Sequence, residues 1–339
     1  MVCRTRAIYG CSGTELSPEE RAFFREAQPW GFILFARNVS QPNQVKALVS
    51  SLRDTVGDDQ APVLIDQEGG RVARLRPPHW RTHPPAQRFG DLYRSDPEAA
   101  RQMCALNARL IASELFDLGI NADCVPVLDV PVKDADAIIG NRAFSNDPEI
   151  VTALGRTMVD GLLDGGVLPV IKHLPGHGRA NADSHLALPR VGALESELRV
   201  SDFAPFRALN DCPLAMTAHV VYTAIDPDRP ATTSETVISD VIRGWIGFDG
   251  LLMSDDLSMK ALSNSFGERT RAALDAGCDI VLHCNGALSE MLDVAAEATL
   301  LEGQALARAE RALARLRPPK PFNAEIANGR LNECFGAAA

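Results

Sequence analysis

The densest chemistry in the chain lies between Lys172 and His185, which reads Lys-His-Leu-Pro-Gly-His-Gly-Arg-Ala-Asn-Ala-Asp-Ser-His and holds three of the seven histidines. Pro175, Gly176 and Gly178 forbid a regular helix here. His173 and His177 therefore do not share a helical face as a zinc-binding pair would. The N-terminal apolar run also lacks the HxH pair expected of a barrel metallohydrolase, so no metal is expected. Asp183 and His185 stand two residues apart in the same segment. A carboxylate bonded to an imidazole fixes its tautomer and favours its protonated form. Such a pair can give a proton to a leaving oxygen and later take one from water. Spacing alone favours a surface Asp–His contact of no consequence.

A second candidate is Asp255, which ends the apolar run Leu251-Leu252-Met253-Ser254. A carboxylate at the end of a buried run is costly unless it is paired or used. Retaining glycoside hydrolysis needs a carboxylate to trap the oxocarbenium-like sugar, with an acid/base across the bond. Asp255 suits the first role, and Asp256 suits the making of supporting hydrogen bonds. With His185 in place of a second carboxyl group, the separation rule for stereochemistry does not apply. Asp66, Asp129, Lys172-His173, His219 and His283 end apolar runs in the same way.

Those runs predict strands at 5–10, 31–36, 62–66, 121–129, 168–173, 213–221, 250–255 and 279–284. They are short and nearly continuous in apolar character, as parallel strands buried on both faces are. Between them lie amphipathic segments near 41–54, 97–118, 147–164, 194–210, 234–246, 265–276 and 287–316. Ser17-Pro18-Glu19-Glu20 starts another, with a capping serine, a proline at the first helical position and acids in the first turn. Eight strand–helix units predict an α/β chain closed as a (β/α)8 TIM barrel, with an open doubly wound sheet as the alternative. In such barrels chemistry sits at the C-terminal strand ends, so closure would gather these residues around one mouth. The Pro-rich stretch 77–85 reads as a long loop. No linker divides the chain, and the expectation is one catalytic domain over 1–339 with a short tail after about 318.

The formal charge is −10, from 34 Lys+Arg against 44 Asp+Glu. That disfavours nucleic acid or an anionic membrane as the main partner, since both need a cationic surface. The N-terminal MVCRTRAIYG has no apolar signal core, and no run of about 18 apolar residues could span a membrane. Eight scattered cysteines without a CxxC fit a reducing cytoplasm. A monomer is the expected assembly.

The segments Ile65–Arg74, Ile139–Phe144, Lys172–His185, Met216–Val220 and Met253–Met259 together resemble glycoside hydrolase family 3, in its single-domain bacterial β-N-acetylglucosaminidase branch. They stand in that family's order over most of the chain, and Lys172–His185 with Ser-Asp-Asp-Leu-Ser-Met is the most specific part. The resemblance implies a retaining exo-β-N-acetylglucosaminidase. Asp255 would be the nucleophile of a covalent glycosyl-enzyme, His185 the proton donor and acceptor, and Asp183 its orienting partner. Asp66, Arg74, Arg142, Lys172 and His173 would bind the sugar. It further implies cell-wall turnover fragments as substrate, N-acetylglucosaminyl-1,6-anhydro-N-acetylmuramic acid with or without its peptide, and no metal or organic cofactor. Leu174 stands where the family commonly has an aromatic residue, and Ala143 where it has serine. The second domain of larger members, which in some supplies a glutamate acid/base, has no room here, in agreement with an Asp183–His185 pair. Three rivals remain: a Schiff-base lyase using Lys172, a non-catalytic sugar-binding protein, and a β-glucosidase of the same family.

Overall fold

Alternation along the strands sets the architecture, because successive side chains of a strand point to opposite faces of a sheet. The computed structural model describes residues 4–133, 136–180 and 187–336. Eight parallel strands close into a barrel in chain order. They are β1 (Thr5–Gly10), β2 (Pro29–Leu34), β3 (Val63–Ile65), β4 (Ala122–Asp123), β5 (Leu168–Leu174), β6 (Leu214–Thr217), β7 (Leu251–Asp256) and β8 (Ile280–His283). Ile33, Leu64, Val170, Met216, Met253 and Leu282 belong to one buried cluster that fills the interior. Their sequence neighbours Phe32, Ile65, Ile171, Ala215, Leu252 and Val281 belong to another, between strands and helices. The α/β barrel expected from the sequence is therefore the fold.

Local signals start the surrounding helices. The Ser17 hydroxyl accepts from the Glu20 amide, and the Glu20 side chain accepts from the Ser17 amide, before the helix Pro18–Ala27. Ser265 and Glu268 repeat this before Phe266–Ala276. Asp96 and Asp147 cap Pro97–Asp117 and Pro148–Asp164.

Several elements differ from the sequence reading. The run 121–129 is regular strand only at Ala122–Asp123; beyond it single bonds to β5 continue, with a bridge between Val127 and Lys172, while Pro126 has no amide to donate. The segment 194–210 is two short helices, Glu195–Val200 and Ala204–Ala208, because Pro205 has no amide to donate to the carbonyl four residues back, at Ser201, where the first helix ends. The segment 287–316 also divides, into Leu288–Ala295 and Gly303–Leu313. Between them Thr299 accepts from the Arg6 amide at 2.9 Å, joining the segment to β1. Val237–Trp245 winds as a π-helix. Val221, expected to end the sixth strand, instead starts a two-residue strand, Val221–Tyr222, that pairs with Arg190–Val191. A helix at Ala86–Ser95 follows the Pro-rich loop. Beyond Arg317, where the sequence reads as a tail, Ala324–Phe335 forms a helix with Ala327 and Leu331 buried. Phe335 packs edge-on against Phe89 at 5.1 Å. No helix among the described residues is long and apolar enough to cross a membrane.

Candidate active site

Leu64 and Asp66, Val170 and Lys172, and Leu251, Met253 and Asp255 follow one another at intervals of two. Asp66, Lys172 and Asp255 therefore succeed interior residues and emerge at the C-terminal mouth of the barrel. A cavity of about 260 Å³ opens there, lined by all three together with Glu68, Arg74, Arg142, His173 and His177. Phe35, Met216, Met259 and Leu282 add apolar wall. In β5 the register against β6 shifts between Ile171 and Leu174, and consecutive Lys172 and His173 both line the cavity.

One side of the cavity is a network of opposite charges. Lys172 Nζ donates to Asp66 Oδ1 at 2.8 Å and lies 2.7 Å from Glu68 Oε1. Arg142 grips Glu68 with two bonds of 2.8 Å, and Arg74 Nη2 donates to Asp66 Oδ2 at 3.0 Å. Burial by itself would raise the Asp66 and Glu68 pKa values, but Lys172 with Arg74 or Arg142 outweighs it. Asp66 is held well below the usual carboxylate range and Glu68 falls to about 2. Against its own burial, Lys172 is pushed up by Asp66 and Glu68 and stays cationic. Arg142 is also raised, by Glu68.

Buried Gln67 shapes the turn that brings Arg74 back to Asp66. Its Oε1 accepts from the amides of Arg74 and Leu75, and its Nε2 donates to the Leu75 carbonyl. Gly69, at φ +96°, passes so close to Pro84 that a Cβ would stand 2.4 Å from its carbonyl oxygen.

On another side, Asp129 organises the two histidines. Its Oδ2 meets His173 Nδ1 at 2.7 Å, and its Oδ1 accepts from the amides of His173 and His177 at 3.2 and 2.7 Å. The two imidazoles meet edge to face at 5.6 Å. Burial first, and His173 second, push the His177 pKa down to about 4 against the pull of Asp129 and Asp255. His177 is thus neutral at neutral pH.

The Asp255 amide donates to Thr217 Oγ1 at 3.3 Å, and Asp255 Oδ1 accepts from the Asp256 amide at 2.8 Å. Asp256 makes supporting bonds: Oδ1 accepts from the amides of Ser258 and Cys284, each at 3.0 Å, and Oδ2 from the Ser258 hydroxyl at 2.5 Å.

Residues 11–316 match the glycosyl hydrolase family 3 N-terminal domain. The chain belongs to glycosyl hydrolase family 3. Among family 3 relatives, a protein named Beta-hexosaminidase from Alkalilimnicola ehrlichii is 43% identical over 284 residues, 82% of this chain and 80% of its own length. One of the same name from Stenotrophomonas maltophilia is 37% identical over 303 residues, 88% of each chain. The barrel superposes on native NagZ from Neisseria gonorrhoeae with a TM-score of 0.88 at 31% identity, covering 100% of this chain and 99% of that one.

Of the site residues expected from the sequence, the family 3 fold brings Asp66, Arg74, Arg142, Lys172, His173 and Asp255 to one cavity. Asp183 and His185 lie outside the described residues. Two strand-end histidines do not line the cavity. His283 is fully buried against Phe266 and bonds Glu290, while His219 bonds Thr232 and the Asp256 carbonyl. Glu68 and His177 are site residues that strand-end reasoning passes over. Glu68 lies beyond the end of β3, and only the Asp66-Gln67-Glu68 motif could have marked it.

Proposed function

We propose that this family 3 enzyme is a β-N-acetylhexosaminidase that removes terminal β-linked N-acetylglucosamine with retention of configuration. The reading is supported above all by Asp255 sharing a cavity with the Asp66–Lys172–Glu68–Arg142 network. The relatives' name, Beta-hexosaminidase, supports the substrate class.

In this reading a terminal pyranose enters with its hydroxyls toward Asp66, Lys172, Arg74 and Arg142. Charged donors and acceptors in a semi-closed site discriminate against ligands that lack those hydroxyls. Asp255 attacks the anomeric carbon as the glycosidic bond breaks. His185, held by Asp183, protonates the leaving oxygen, and then takes a proton from the water that frees the sugar from Asp255. Neutral His177 adds no positive charge beside the Asp255 carboxylate, which leaves it nucleophilic. His173, anchored by Asp129, completes the sugar site.

Cell-wall turnover fragments, N-acetylglucosaminyl-1,6-anhydro-N-acetylmuramic acid with or without its peptide, are the proposed substrates, and the cytoplasm the proposed location. The buried thiols of Cys11, Cys104, Cys124, Cys212, Cys278 and Cys284 are free, as suits a reducing compartment. Cationic Lys172, clasped by two carboxylates, is a poor amine nucleophile, which argues against the Schiff-base alternative.

The test is hydrolysis of chromogenic β-N-acetylglucosaminide and β-glucoside side by side, with a fluorinated glycosyl inhibitor to trap the intermediate. Preference for the acetamido sugar and a label on the Asp255 peptide are expected. A label elsewhere would remove the nucleophile assignment, and a preference for glucoside would change the substrate.

A further inference from the structure

Behind Asp255, on the face of the sheet away from the cavity, three buried side chains connect the amide of this residue to the carbonyl of Asp256. The Asp255 amide reaches Thr217 Oγ1 at 3.3 Å, and Thr217 Oγ1 lies 2.8 Å from Thr232 Oγ1. Thr232 Oγ1 lies 2.7 Å from His219 Nδ1, and His219 Nε2 lies 3.0 Å from the Asp256 carbonyl oxygen. Thr217, Thr232 and His219 all have zero exposure, so solvent does not stand in for a missing link.

The two ends orient the chain of bonds. An amide can only donate and a carbonyl can only accept. Thr217 accepts from the Asp255 amide, and because Thr232 spends its own proton on the ring, the bond between the two hydroxyls is one that Thr217 donates. Thr232 passes its proton to Nδ1, and Nε2–H donates to Asp256. The Ala218 carbonyl, 3.2 Å from Thr232 Oγ1, competes for the Thr232 proton. With the ring proton on Nε2, a proton sent there would leave buried Nδ1 without a donor, a costly state.

We propose that Thr217, Thr232 and His219 form a one-directional relay that fixes the backbone at Asp255 and so aims its carboxylate at the sugar. They are positioning residues and never touch substrate. The inference rests on the reading of Asp255 as nucleophile.

The experiment compares Thr232→Val, which removes the hydroxyl at nearly constant volume, with Thr232→Ser, which keeps it. Each is assayed on an aryl β-N-acetylglucosaminide and for its rate of labelling by a fluorinated glycosyl inhibitor. Misaim of a reacting group by about 1 Å lowers rates on the order of 100-fold. Thr232→Val is expected to lose roughly 10- to 100-fold in kcat and in labelling rate, with KM little changed, and Thr232→Ser to recover most of both. If Thr232→Val does not fold, Thr217→Val against Thr217→Ser reads the same relay from its other end. A hydroxyl that served stability alone would lower the melting temperature and leave kcat of the folded enzyme intact, and that result overturns the relay. Equal loss in the Val and Ser variants overturns it too. A wild-type label on a residue other than Asp255 removes the nucleophile reading, whereas an Asp255 label with unchanged variant rates removes the relay alone.

Discussion

Lys172 Nζ lies 2.7 Å from Glu68 Oε1, and both side chains are more than nine-tenths buried. Removing one charge from such a group leaves its partners uncompensated, which typically costs about 3–5 kcal/mol. Glu68→Gln is therefore expected to lower folding stability by roughly that range. It should also raise KM, because Arg142 and Lys172 lose the carboxylate that holds them beside Asp66. Chemical denaturation and steady-state kinetics check this together, and an unchanged midpoint with unchanged KM would count against a structural part for Glu68.

Asp255→Ala is expected to reduce turnover on the order of 10⁴-fold or more, as loss of a nucleophile does elsewhere. Binding should persist, since the Asp66–Lys172 side of the cavity is untouched. Calorimetric titration with the free sugar separates the two effects. Residual turnover within tenfold of wild type would sink the assignment.

His185→Ala should discriminate between substrates by their leaving groups. An acid is needed most where the departing oxygen is basic. Loss on unactivated glycosides is expected to exceed loss on nitrophenyl glycosides by about 10²-fold or more. A plot of log kcat/KM against leaving-group pKa should steepen in the variant, and an unchanged slope would remove the acid role from this imidazole.

His177 predicts an acid limb in stability. Its pKa falls from 6.5 to about 4 on folding, so the unfolded chain binds the proton first. This histidine should destabilise the fold progressively as pH drops from about 6.5 towards 4, and add nothing further below that. Melting temperatures across this window should fall less steeply in His177→Asn than in wild type. Parallel curves for the two proteins would contradict the shift.

How much of this was legible from residues alone depends on what each signal encodes. The ends of apolar runs identify Asp66, Lys172 and Asp255 because each continues an inward-facing column of its strand. The same rule misdirects His219 and His283, since the end of a run does not say which face is next. Counting by two from Leu214 and Ile280 puts both histidines on the outer face, where the structure has them bonded to Thr232 and Glu290. Glu68 keeps the parity of Leu64 and Asp66 but stands past the apolar run, where a turn organised by Gln67 and not strand geometry brings it to the cavity. Helix breaks at 201–203 and 296–302 escape a reading of hydropathy because apolar spacing continues through them. They become visible only when Pro205 and the bond from Arg6 to Thr299 are weighed.

The stacking of one cavity-lining tip on each apolar column has a consequence for change over time. Phe35 and Cys284 each cap a separate column outside the ion-pair network, so an exchange at either tip alters one spot of the cavity wall and leaves the layer beneath intact. Substrate preference can therefore drift by single replacements while the scaffold keeps its melting behaviour. A small library confined to the apolar tips Phe35 and Cys284 should yield mostly folded proteins whose selectivities differ.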